Sequence, residues 1–154
     1  MESNFIERTA IRFGGLMALA LVGFFFLMKA FGLEHNLELR ALNIFILFSF
    51  VLASIDYYKK RRPKDFVYLK GMGLGLLTSV AGVLMFAVLV VLYITVIDPS
   101  FMELIRENEP FGDFLNPALV GFTIVIEGIA SGFLATYAIM QYYKNSHYVA
   151  PVKK

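Results

Sequence analysis

Apolar residues fall along the chain in four long blocks, at approximately 13–33, 41–58, 72–97 and 118–143, with shorter polar stretches between them. A bilayer core of about 30 Å takes roughly 20 residues of helix to cross, and each block reaches or approaches that length. Lys29 interrupts the first block near its end, the second is short, the third carries no charge, and Glu127 breaks the fourth. A segment exposed to lipid must satisfy its backbone hydrogen bonds internally, so all four are predicted as helices.

The stretch "IDPSFMELIRENEPFGDFLNP" between the third and fourth blocks follows another pattern. Phe101, Met102, Leu104 and Ile105 form an apolar stripe, while Glu103, Arg106, Glu107 and Asn108 face elsewhere. This predicts a short amphipathic helix at the interface over 99–108. Asp98 and Pro99 read as its cap and first-turn proline, Ser100 and Glu103 as a capping box, and Pro110 as its stop. Phe111, Phe114 and Leu115 then return toward lipid or cover the helices. The N-terminal "ESNFIERTAIRF" reads as a similar interfacial helix started by Asn4, with Glu7 as box partner. The expected fold class is an all-α membrane protein: one domain over 1–154, a four-helix transmembrane bundle with an interfacial helix in its third connection.

Composition agrees. The chain is 58% hydrophobic and 17% charged, against nearer half and a quarter in a soluble domain. One aqueous core could not hide that much apolar surface. Cysteine is absent, which excludes disulfides, thiolate metal sites and a cysteine nucleophile. Neither His35 nor His147 lies in a span or near a second ligand, and no H-E-x-x-H or G-x-S-x-G occurs. No catalytic residue, metal or cofactor is therefore expected, and the chain does not read as an enzyme. A net charge of +2 implies no nucleic-acid partner. Acidic Glu2 and Glu7 beside Arg8 and Arg12, and no small-x-small site after the first block, read as a retained helix rather than a cleaved signal.

The position of the cations sets the expected orientation. Arg8, Arg12, Lys59, Lys60, Arg61, Arg62, Lys64, Lys70, Lys144, Lys153 and Lys154 fall on one side, and only Lys29, Arg40 and Arg106 on the other. By the positive-inside rule both termini are cytoplasmic. The cluster Lys59, Lys60, Arg61, Arg62 and Lys64 either fixes topology or also meets anionic headgroups. Tyr57, Tyr58, Phe66, Tyr68, Tyr142, Tyr143 and Tyr148 fit an aromatic belt on that side. The opposite loop is acidic, through Glu103, Glu107, Glu109 and Asp113, but lacks the ligand spacing of a calcium loop.

Glu127 lies about 13 Å along the fourth helix, near mid-bilayer. An ionised carboxylate there costs at least about 3 kcal/mol, so it is expected to face the bundle interior, paired or protonated. Lys29, about 6 Å below the same surface, is the candidate partner, unless it simply reaches up to the interface. Ser49 and Thr123 are the other buried polar candidates, as hydrogen-bond partners. Around Glu127 the sequence also favours close packing. Gly128 and Gly132 form a small-xxx-small pattern, Gly71, Gly75 and Ser79 another followed by Gly82, and Gly14 with Ala18 a third. Such rows let membrane helices approach closely, within one chain or between copies.

Three stretches, "VYLKGMGLGLLTSV", "YITVIDPSFMELI" and "EGIASGFLATYAI", resemble the family known as domain of unknown function 4199, widespread in Bacteroidota. Their order and spacing match too, so the resemblance spans almost the whole chain, and the "IDPSF" turn is its most distinctive part. Many members have a longer and more acidic external loop. The resemblance implies a four-span bacterial inner-membrane protein, and it carries no reaction and no catalytic residues.

Two functional classes follow. The first is a non-catalytic structural or accessory subunit in the bilayer, as a homo-oligomer or part of a larger membrane complex. The second is a small proton- or ion-coupled transporter or channel using Glu127. A single acid without a trail of ionisable neighbours favours the first.

Overall fold

A computed structural model describes residues 2–32, 42–108 and 111–147. The expected span limits at Leu33 and Ala41, and Arg40, Glu109, Pro110, Tyr148, Lys153 and Lys154, lie outside these residues, as does His35. Four helices are long and apolar enough to cross a membrane, which fits a membrane protein. They are α1 (Glu2–Ala30), α2 (Leu42–Arg61), α3 (Tyr68–Leu92) and α5 (Pro117–His147). The short α4 (Ser100–Asn108) lies in the third connection, and the described residues contain no strand.

Some boundaries differ from the expected ones. The N-terminal stretch is not a separate interfacial helix: α1 runs unbroken from Glu2, and Asn4 sits inside its first turn. Nothing in that stretch breaks a helix, and Phe5 packs on Tyr57 and Tyr58 of α2, so its apolar residues continue the core. At the other end Gly32 adopts φ +64°, a left-handed conformation that glycine takes without steric cost, and its N–H bonds to the Lys29 carbonyl. α3 passes at Tyr93–Ile97 into a π-helical turn, closed by the Asp98 N–H to the Tyr93 carbonyl at 2.9 Å.

α3 is the central element. It packs against α1, α2 and α5, and α2 touches α1 and α5, which leaves α1 and α5 diagonal to each other. Small residues set the spacing. A Cβ added to Gly14 would lie 2.9 Å from the Gly82 nitrogen and 3.0 Å from the Thr78 carbonyl oxygen, so α1 and α3 meet backbone to backbone. On the other face of α3, Gly71 receives Met140, Gly75 receives Thr136, Ser79 sits against Gly132, and Val83 against Gly128. Among the described residues, the buried polar side chains are Thr9, Ser54, Thr78, Ser79 and Thr136. Thr78 donates to the Leu74 carbonyl at 2.8 Å and meets Ser54 at 3.3 Å, and Thr9, Ser54 and Ser79 likewise bond carbonyls of their own helices, while the Thr136 hydroxyl has no partner.

Candidate functional site

At the basic end the helices close tightly. Tyr58, Phe66 and Tyr143 are buried in the core instead of ringing it as a belt, and Tyr143 donates to Asp56 at 3.4 Å, joining α5 to α2. The expected topology cations lie over this cluster. Lys59 sits 4.2 Å from the Tyr143 ring centroid, Arg61 5.6 Å from Tyr57 and Arg62 5.3 Å from Phe5. Lys60 pairs with Asp56 at 2.6 Å, and Lys64 is exposed. Asp56 was not anticipated as a contact residue, although its i,i+4 spacing to Lys60 was a readable signal.

Toward the opposite end a cavity of about 810 Å³ lies between α1, α2, α3 and α5, with α4 also lining it. Its walls are apolar and aromatic, with Phe24, Phe25, Phe86 and Phe101 contributing rings. α4 turns Phe101, Leu104 and Ile105 onto this space and leaves Glu103, Arg106, Glu107 and Asn108 exposed, so the amphipathic helix roofs the cavity. Phe111 and Phe114 remain exposed, while Leu115 joins the lining. The Arg106 Nε donates to the Leu115 carbonyl at 3.1 Å and ties the roof to the connection that follows it.

Glu127 lines this cavity and is exposed there, together with Thr123 and Ala130 on α5 and Ile44 on α2. It is the single charged side chain among the described lining residues, accompanied by Asn43, Asn108, Thr123 and Ser131. Among the described residues it has no hydrogen-bond or ion-pair partner. The buried-polar expectation is thus corrected for three residues. Glu127 and Thr123 face open space because α5 turns its glycine row, not this face, toward α3. Ser49 is also exposed, its hydroxyl returned to the Phe45 carbonyl at 2.7 Å.

Lys29 does not pair with Glu127 either. Its ammonium bonds the Asp98 carboxylate at 2.5 Å and the Tyr93 hydroxyl, and Tyr93 donates to the same carboxylate at 3.2 Å. The reason is the helix arrangement: α1 packs on α3 and lies diagonal to α5, so Lys29 meets the end of α3. The π-turn makes this contact, since its closing bond sets Asp98 five residues beyond Tyr93 with both side chains on Lys29. Phe25, Phe26 and Phe101 enclose the group, with ring centroids 5.3 to 5.9 Å from Tyr93. The Lys29 ammonium holds the Asp98 carboxyl well below the usual carboxylate range, helped next by the Ser100 hydroxyl. Ser100 donates to Asp98, so it is this carboxylate that engages the first residue of α4. The clamp therefore joins α1, the end of α3 and the roof of the cavity. Sequence reading missed it because Asp98 looked like a helix cap.

These features define a class: a polytopic helical protein with one end closed by small-residue packing and a roofed apolar cavity at the other. The family described as "Protein of unknown function (DUF4199)" matches residues 12–110, well over half of the chain, and the protein belongs to it. The match takes in α1 from Arg12 onward and α2 to α4, with the Lys29–Asp98 clamp. It ends before α5, so the resemblance seen in the fourth span, and Glu127 with it, falls outside the matched residues. No curated protein and no solved structure matches the chain.

Proposed function

We propose that the protein is a non-catalytic accessory protein of a bacterial cytoplasmic membrane, with both termini cytoplasmic, and that it works by binding in the roofed cavity. The observation that carries this reading is the contrast between a large apolar cavity with one unpartnered carboxylate and a basic end packed backbone to backbone. A cavity in the range of about 300–1,000 Å³, apolar with a few polar groups, is the usual form of a small-ligand site. The transport reading needs a path from this cavity to the basic end. Gly14 against Gly82, Gly75 against Thr136 and Gly132 against Ser79 occupy that path, and among the described residues the polar side chains buried there are hydroxyls rather than ionisable groups.

The reading is tested by reconstituting the full chain in liposomes carrying an interior pH dye and imposing a proton gradient. Wild type and Glu127→Gln are expected to leak no faster than empty liposomes. Proton flux that depends on Glu127 would replace the accessory reading with the transport one. Native mass measurement after gentle detergent extraction then reads what stays bound, whether a second copy, a membrane partner or a small ligand.

A further inference from the structure

We infer that the cavity takes a single-chain lipophilic amine in its protonated, cationic form, delivered from the surrounding membrane. The inference rests on the reading of the cavity as the working site, and adds the charge and shape of what enters it.

Charge comes first. The described lining offers one ionisable group, Glu127, with no partner of its own. The nearest cation along the first helix, Lys29, is already committed to Asp98 and Tyr93. An ionised carboxylate at this depth is costly unless it is paired. A ligand that brings a positive charge supplies that pairing, while an anionic or zwitterionic headgroup would set a negative group beside it. A neutral chain would leave it without a partner.

The aromatic lining points the same way. Phe24, Phe25, Phe86 and Phe101 contribute ring surfaces to the same space, and ring faces attract ammonium groups. Phe101 already lies 5.6 Å from one ammonium, that of Lys29. Asn43 and Ser131 add hydrogen-bonding groups that an N–H-bearing cation can use and a purely hydrocarbon ligand cannot.

Depth and access select a membrane-borne molecule. Glu127 stands ten residues into α5, roughly 15 Å from its start. The exposed lining residues Ile44 on α2 and Thr123, Glu127 and Ala130 on α5 border the opening. Both helices are long and apolar enough to cross a membrane, and a bilayer around them would set lipid against the opening between them. A diacyl phospholipid would hold its headgroup at the surface and set acyl chain against the carboxylate. A single-chain amine can place its nitrogen at Glu127 and its tail along the Phe and Leu walls.

The test uses the full chain in nanodiscs, with a dodecylamine that carries a dansyl group at the chain end opposite its free amine as probe, and the matching end-labelled neutral amide and fatty acid as comparisons. Empty nanodiscs are subtracted to remove partition into lipid. Wild type is expected to bind the amine at least about tenfold more tightly than Glu127→Gln does, and the amide equally in both. The fatty acid should bind most weakly to wild type. Equal affinity of the amine for wild type and Glu127→Gln overturns the inference, as does preference for the amide or the fatty acid. A second variant, Ala130→Trp, fills the mouth of the cavity without touching the charge. If it abolishes amide binding while charge has no effect, the cavity reading stands and the cation fails. If no probe responds to either variant, both fail. Circular dichroism and monodispersity of each variant confirm that the comparison is between folded proteins.

Discussion

The two ends of this molecule are held by different physics. At the basic end, and along most of α3, helices touch through glycine and small side chains, and cohesion is van der Waals contact between backbones. At the acidic end the helices surround a cavity, and a polar clamp of Lys29, Tyr93 and Asp98 holds the roof in place. Close packing is tolerant of salt and pH but intolerant of added volume. A clamp of few contacts is the reverse: it permits open space beside it and depends on two charges keeping each other. A molecule that must be rigid in one place and hollow in another gains from using both.

The sharpest way to break that contrast is to add volume where the backbones meet. Gly14→Leu should destabilise the protein by at least about 2 kcal/mol, because the Gly82 backbone cannot move aside as a side chain could. Reversible unfolding in mixed detergent micelles reads the change. Survival of Gly14→Leu with unchanged stability would show that the close approach of α1 and α3 is not what holds them.

Removing a clamp charge should have a smaller and more local effect. Lys29→Met leaves Asp98 without its cation, so hydrogen exchange over 93–108 is expected to rise several-fold while the basic end keeps its protection. Equal loosening at both ends would mean the clamp is not a local device. pH sharpens the same point. The folded Asp98 carboxyl titrates below its unfolded counterpart, so the pairing stabilises the roof in full between the ordinary carboxylate value of about 3.9 and the ordinary lysine value of about 10.4. On the acid side that contribution fades as pH drops below the unfolded value and is gone below the depressed folded one. Protection of α4, corrected for intrinsic exchange, should therefore stay flat from neutral pH to about 5 and drop only in strong acid.

Two milder substitutions complete the series. The buried Thr136 hydroxyl has no hydrogen-bond partner, so Thr136→Val, which keeps the shape, should stabilise by about 1 kcal/mol. Gly23 has nothing within 4 Å of an added Cβ, unlike Gly14 on the same helix. Gly23→Ala should be neutral or stabilising by about 0.5 kcal/mol through helix propensity alone. Thermal unfolding in one detergent orders all of these variants. A harmful Gly23→Ala would indicate that this face meets a partner, such as a second copy.

Much of the architecture is legible in the sequence. The four apolar blocks and the amphipathic stretch appear as helices, and the described residues contain no strand. The rows Gly71–Gly75–Ser79 and Gly128–Gly132 lie in one interface between α3 and α5, with Gly132 against Ser79. The polar residues are another matter. Glu127, Ser49 and Thr123 face outward or into the cavity, while Ser54, which carried no special signal, lies buried against Thr78. Asp98 looked like a cap and became half of an ion pair.

What the sequence determined by itself was what each segment could become: transfer of apolar residues out of water and the pairing of backbone groups are local requirements, visible in composition and spacing. Tertiary structure decided which side chains meet. The rotation of each helix and its choice of neighbours set α1 diagonal to α5, sent Lys29 to Asp98 and left Glu127 facing an open cavity. Those choices depend on how glycine rows nest across helices, a property of pairs of surfaces that no single stretch of chain contains.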